Sequence, residues 1–118
     1  MKIANRIFDS LKVGAINELI AQKLPISEAY SLMKFAKELS EKETIYREAK
    51  LKIFRMYGTE KDGIVSIKKG NEEKASKELE KLASLEEDYK FDKKIVLPKG
   101  LELSAQQLML LEDFVEVK

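Results

Sequence analysis

Between Leu24 and Gly58 the apolar residues keep helical spacing for longer than anywhere else in the chain. At 100° per residue, Ala29, Leu32, Phe35, Ala36, Leu39, Tyr46, Ile53, Phe54 and Tyr57 form one broad stripe, with Glu43 and Lys50 inside it. The pattern predicts a helix from Ser27 to Tyr57, a rod of roughly 45 Å. Ser27 can cap its first turn, Glu28 suits the positive end of the dipole, and Pro25 cannot continue a helix backward. Gly58 fits the left-handed position that ends a helix, and no Pro or Gly intervenes. If neighbours cover the two ends of the rod, its middle stays wet and Glu43 and Lys50 are solvated or paired. A break near Ser40 to Glu43, making two helices, is the competing reading. Tyr30, Met33, Ile45, Leu51 and Met56 lie off the stripe. They call for a second set of contacts, with the C-terminal elements or with another molecule.

Upstream, Asn5 is placed to cap a helix from Arg6 to Gln22, with Phe8, Leu11, Ala15 and Leu19 on its core face and Ile7, Ile16 and Ile20 widening it. Gly14 lowers helix propensity there and permits close approach of another backbone. The short Lys23 to Ile26 connection predicts an antiparallel hairpin of the two helices. Downstream, Asp62-Gly63 is a turn, Ile64 to Ile67 a short strand, and Lys68-Lys69-Gly70 a stop. Asn71 caps a third helix to about Leu85, with Ala75, Leu79, Leu82 and Leu85 on one face. From Tyr89 to Leu97 the period falls to two, with Tyr89, Phe91, Lys93, Ile95 and Leu97 on one side and Lys90, Asp92, Lys94 and Val96 on the other. Pro98-Lys99-Gly100 is a turn. Leu101-Glu102-Leu103 is a short extended piece, and Ser104 with Gln107 makes a capping box for a last helix to Phe114. Its packing face is Leu108, Leu111 and Val115.

The expected fold is mainly α within an α+β class, one domain over residues 1–118. It comprises an antiparallel helical hairpin over 6–57 with a long second helix, and a smaller part over 64–118. That part holds a third helix, a C-terminal helix and a β element drawn from 64–67 and 89–103.

With 44% hydrophobic and 36% charged residues, the composition is that of a globular protein rich in Lys and Glu. Such charge content is also compatible with a thermophilic source. No uninterrupted apolar run is long enough for a signal peptide or a membrane span, so a cytoplasmic, intracellular location is expected. Residues 1–58 carry 11 basic against 7 acidic side chains, with all three arginines, and residues 59–118 carry 11 against 14. An asymmetry of this sign can steer a partner or bring two copies together.

The chain has neither cysteine nor histidine. Disulfides, thiolate zinc sites and cysteine nucleophiles are excluded, and the commonest general base and transition-metal ligand are missing. Glu38 with Glu41, and Glu86-Glu87-Asp88, lack the glycine and alternating ligands of a calcium loop. There is no phosphate-binding glycine loop and no GxSxG. No catalytic residue, cofactor or metal is expected, and the protein is not expected to be an enzyme. On the long helix, Lys34, Lys37, Lys52 and Arg55 share a side with Glu41 and Glu48, and Glu48 can pair with Lys52 and Arg55. That mixture is more a solvated face than a phosphate track, although Arg6, Lys12, Lys68 and Lys69 could extend it. Protein–protein binding is therefore the leading expectation, with Tyr30, Met33, Arg47, Leu51, Arg55 and Met56 as the interaction residues. A homo-oligomer is one form of it. Nucleic-acid binding through the basic N-terminal half is the alternative.

At Leu24-Pro25, Ala29-Tyr30, the Glu-rich stretch from Glu41 to Glu48, Tyr57-Gly58 and Gln107 to Leu111, the chain resembles a loose group of short, uncharacterised proteins encoded by bacteriophages and prophages. In that group a short N-terminal helix precedes an LP-x-x-x-A-Y helix start, and a charged helix ends in YG. The resemblance implies a phage or prophage source and carries over no catalytic residues. It also implies one of two roles, a minor virion or assembly component or a small inhibitor of a host system, so that the partner would be a host or virion protein.

Overall fold

A computed structural model describes residues 1–91, 93–98 and 100–117. It has a mixed α+β fold of four α-helices and three separate two-stranded sheets among those residues. In chain order these are β1 (Lys2–Ala4), a 3-10 helix (Asn5–Asp9), α1 (Lys12–Ile20), α2 (Ile26–Tyr57), β2 (Gly58–Lys61) and β3 (Ile64–Ile67). They are followed by α3 (Glu72–Ser84), β4 (Glu86–Asp88), β5 (Ile95–Leu97), α4 (Ala105–Leu111) and β6 (Val115–Val117).

The long helix is one uninterrupted element of 32 residues. The polar stretch at its middle does not break it: Thr44 Oγ1 donates back to the Ser40 carbonyl one turn earlier (3.1 Å), and the ladder continues. Glu43 and Lys50 are paired, Glu43 with Arg47 (3.6 Å) and Lys50 with Asp9 (3.2 Å). The helix starts at Ile26, immediately after Pro25, and Ser27 does not cap it because its hydroxyl donates to Glu28. Leu32, Phe35, Leu39 and Tyr46 are buried, whereas Ala29 is exposed.

The single helix expected over 6–22 is two elements. Ser10 divides them, since its hydroxyl donates to the Ile7 carbonyl (2.7 Å) and accepts from the Lys12 N–H (3.2 Å). A short polar side chain thereby competes with the helical ladder. Asn5 caps nothing of its own. It is buried, its N–H donates to Leu85 O (2.9 Å) and its side-chain amide to Leu82 O (3.0 Å), so it closes the C-terminal end of α3. Leu11, expected on the core face, is 70% exposed at the break.

Asp62 and Gly63 both take positive φ (54° and 78°), the backbone of a two-residue hairpin turn that folds β2 onto β3 in antiparallel register. Gly58 is extended (φ −126°) rather than left-handed. Its role is steric: a Cβ there would lie 2.4 Å from the Ser66 carbonyl oxygen and 2.6 Å from that of Phe54. Asn71 precedes α3 as expected, but its amide donates to Tyr57 O (3.2 Å), and Glu72 accepts from the Gly70 N–H (2.8 Å). Leu85, expected on the buried face of this helix, lies beyond its end and is exposed.

The β element expected from 64–67 and 89–103 does not form as one sheet. β4 pairs antiparallel with β1, and Tyr89 N–H extends that ladder to Met1 O (2.8 Å). β5 pairs in parallel with β6, which takes over where α4 stops at Leu111, three residues earlier than expected. Tyr89, Phe91, Ile95 and Leu97 are buried, so the period of two describes the side chains while the backbone leaves the ladder between β4 and β5. Lys93, placed inward by that period, is exposed, and the expectations for Asp92 and Lys99 lie outside the described residues. The capping box of Ser104 and Gln107 is present in both directions (3.1 and 2.9 Å).

One apolar cluster collects Ile7, Phe8, Ile16 and Leu19 from the N-terminal part, Leu32, Phe35, Leu39 and Tyr46 from α2, and Tyr89 to Val115 from the C-terminal part. The molecule is elongated along α2, 54 × 25 × 22 Å.

Two glycine substitutions should move stability in opposite directions. A Cβ at Gly14 would meet nothing within 4 Å, so the close approach expected there does not exist. Gly14→Ala should therefore stabilise by roughly 0.5–1 kcal/mol through helix propensity alone. Gly58→Ala should destabilise by about 2–3 kcal/mol, because backbone must shift to admit the methyl group. Urea unfolding of the two variants checks this, and a shift of the same sign in both would contradict it.

Candidate interaction surface

α2 presents three sides. Leu32, Phe35, Leu39 and Tyr46 define the buried one. On the opposite side lie Ile26, Tyr30, Met33 and Leu51, with Arg55 among them and Arg47 on one flank. Ile45 and Met56 lie on the flank between. Every apolar residue singled out from the sequence is exposed: Tyr30 by 56%, Met33 by 42%, Leu51 by 40% and Met56 by 70%. The C-terminal elements do not cover them. The six residues do not form one continuous patch, since Met56 is turned away from Met33 and Leu51. The two arginines are committed within the molecule, Arg47 to Glu43 (3.6 Å) and Arg55 to Glu60 (3.8 Å), while the expected pairing of Glu48 with Lys52 or Arg55 is not seen among the described residues.

Two hollows flank the helix. The smaller, about 270 Å³, lies where the end of α1 meets α2 and is apolar, with Ile20, Leu24, Ala29 and Met33 on its walls. The larger, about 710 Å³, is an open groove between the N-terminal half of α2 and residues 90–91 and 93–96. Its floor is Phe35, Phe91 and Ile95, all buried, and its rim carries Lys34, Lys37, Lys90, Lys93 and Lys94. Glu28, Glu38 and Glu41 also line it. Glu38 is occupied as the acceptor of the Lys90 backbone N–H (3.0 Å). Among the described residues no carboxylate comes within ion-pairing distance of the five lysines, and the Lys34 ammonium sits 4.9 Å above the Tyr30 ring.

The groove was not legible as a site in the sequence. Lys34 and Lys37 are read there as part of a mixed face, and Lys93 as an inward strand residue. The signal that was available is the basic run Lys90, Lys93, Lys94 next to an aromatic residue, Phe91.

One polar cluster ties the N-terminal part to the middle of α2. The Tyr46 hydroxyl donates to Asp9 Oδ2, Lys50 Nζ lies 3.2 Å from Asp9 Oδ1, and the Lys50 ammonium lies 5.1 Å from the centre of the Tyr46 ring. Burial acts to raise the Asp9 carboxyl, but the hydrogen bonds from Tyr46 and Lys50, with the charges of Lys50 and Arg47, outweigh it and hold the group below its ordinary value. Burial, and then the hydrogen bond to Asp9, push the Tyr46 phenol up to about 12. Tyr89 is raised as well, by burial first and then by the charges of Glu87 and Glu38.

The signs of the linkage follow. A depressed carboxylate contributes stability that is present above its unfolded value of about 3.9 and is lost as pH falls through the folded value. A raised phenol contributes stability that is present below about pH 10 and is lost as pH rises through the folded value. Tyr46→Phe should therefore raise the Asp9 pKa, read by carboxyl-carbon NMR, and should reduce the loss of unfolding free energy between roughly pH 10 and pH 12. An unmoved Asp9 titration would show that the hydrogen bond is not what holds the carboxyl down.

Among the described residues no helix is long and apolar enough to cross a membrane. Comparison with protein-family models, with curated proteins and with solved structures finds no match for this chain.

Proposed function

We propose that this chain is a non-catalytic, phage-encoded interaction protein that works by protein–protein binding, as an assembly component or as an inhibitor of a host system, and that it self-associates through α2. The observation that carries this reading is the exposure of Ile26, Tyr30 and Met33 on the first turns of α2, with Leu51 on the same side about 27 Å further along, all away from the core. Exposed apolar side chains scattered singly need no explanation, but neighbours at helical spacing on one face, as Ile26, Tyr30 and Met33 are, make the pattern of a contact surface. Within the molecule, α1 and α2 form the antiparallel hairpin, supported by the five-residue connection 21–25 and by Ala15, Ile16 and Leu19 being buried together with Leu32, Phe35 and Leu39. Such a hairpin buries one side of α2 and leaves its outer side for another molecule. Without histidine or cysteine, and with the carboxylates and lysines of α2 largely solvated, binding suits this surface better than catalysis.

Nucleic-acid binding through the basic N-terminal half has less behind it. Arg6, Arg47 and Arg55 each lie within 4 Å of a carboxylate, at 3.3, 3.6 and 3.8 Å, so the arginines that would grip phosphates are already neutralised. The protein is placed inside the cell or in the virion on the same reading.

Light scattering after size exclusion, at low and moderate salt, tests this. The expected result is a salt-independent oligomer that Met33→Glu or Leu51→Glu shifts toward monomer with the helical circular dichroism unchanged. Met109→Glu, at an exposed position on α4, should leave the mass as it was. A monomeric wild type would overturn self-association. Nucleic acid that co-elutes at low salt, and is lost in Arg47→Glu/Arg55→Glu, would favour the alternative.

A further inference from the structure

We infer that the groove between α2 and residues 90–91 and 93–96 receives an extended acidic segment of a partner protein, added as a strand along the free edge of β5. The inference rests on the reading above, that this chain acts by binding proteins, and it names the chemistry of one partner.

The edge comes first. Ile95 N–H donates to Phe114 O (2.9 Å), and Ile95, Val96 and Leu97 run parallel to Val115, Glu116 and Val117. In a parallel ladder alternate residues direct both backbone groups to the same neighbour, so Ile95 and Leu97 serve β6, and the N–H and C=O of Val96 point from the opposite edge. Among the described residues that edge has no further strand, since β5 and β6 make a sheet of two. Val96 lines the groove and is half-buried, whereas the side chains on either side of it, Ile95 and Leu97, are buried in the core. An unpaired donor and acceptor beside a groove is the main-chain grip used when a peptide joins a sheet.

The charge comes second. Five lysines rim the groove with no carboxylate of the described residues in ion-pairing range, and of the three glutamates there Glu38 accepts from the Lys90 backbone N–H and Glu28 from the Ser27 hydroxyl. Separate ammonium groups on both walls match acidic side chains on a strand, which alternate between its two sides. A phosphate backbone fits less well. Its bases would find no platform, since the rings of Phe35 and Phe91 are 1% and 8% exposed.

The test uses a fluorescent peptide of alternating Glu and Val as the probe, with anisotropy to measure binding and amide NMR to locate it. At low salt the peptide should bind, shift the Val96 amide, and lose about tenfold or more in affinity to the Lys34→Glu/Lys93→Glu/Lys94→Glu variant. Because these lysines are exposed, the variant should fold, and a peptide of alternating Lys and Val binding to it in place of the acidic one would confirm that the charge pairing is direct. Three results would overturn the proposal. One is no binding of the acidic peptide, in which case the lysines only guard an open strand edge against aggregation. The others are a Gln-Val peptide bound equally well, and an oligodeoxythymidine bound more tightly than the peptide. Failure here alongside an oligomer that dissociates in Leu51→Glu would remove the groove and leave the proposed function standing. A monomeric wild type that still binds the acidic peptide would do the reverse.

Discussion

The fold depends on Phe35. Its ring is fully buried, with its centroid 4.5 Å from that of Phe91, 5.4 Å from Phe114 and 5.8 Å from Tyr89. These partners come from three places in the C-terminal part: the end of the β1–β4 ladder, the segment before β5, and the residue before β6. One side chain on α2 therefore fixes where the C-terminal chain crosses the helix, and the parallel pairing of β5 with β6 follows from that crossing. A helix of this charge content has little reason to persist alone in water, since most helical stability in proteins comes from packing one face. The aromatic cluster provides that packing at the N-terminal half of α2, and Tyr46 against Phe8 (5.7 Å) provides it at the middle. The same crossing leaves the groove, because the chain that covers Phe35 does not cover the flank of the helix beside it.

Charge, uneven along the sequence, is partly reconciled in three dimensions. The basic first half meets the acidic second half through Arg6 and Glu80 (3.3 Å), Lys12 and Asp113 (3.1 Å), and Arg55 and Glu60 (3.8 Å). Exposed pairs of this kind contribute little stability each. Their larger effect is on what remains free, since they remove arginines from the surface potential and leave the lysines of the groove as a local cationic site. Part of the asymmetry that suggested an external partner is thus met inside the molecule.

Much of the helical framework was legible in the sequence, for reasons that are local. The stripe from Leu32 to Tyr57, the Asp62-Gly63 turn, the Asn71 boundary and the Ser104–Gln107 box each follow from a few neighbouring residues. The errors arose where a distant partner decides. Asn5 has the form of an N-cap but spends its hydrogen bonds on the far end of α3. Gly58 has the form of a left-handed stop but is required by the carbonyl of Ser66 in the returning strand. The run from Tyr89 to Leu97 alternates as one strand does, yet its two ends pair with opposite ends of the chain, Tyr89 with Met1 and Ile95–Leu97 with β6. β2 carries no strand signal in Thr59-Glu60-Lys61 and exists because the turn lays it on β3. Of the candidate surface, the exposed residues of α2 were legible because they fall off the stripe. The groove was not, because its lysines come together only through the Phe35 crossing.

The four methionines offer the most direct view of the central claim, that the outer side of α2 is a contact surface. Met33 and Met56 are exposed on α2, Met109 is exposed on α4 as a control of similar accessibility, and Met1 lies against the core cluster. Methyl-labelled methionine spectra recorded over a dilution series should show the Met33 resonance moving or broadening with concentration while Met109 stays fixed. Resonances that are all unchanged across the series, or a change at Met109 alone, would contradict the account.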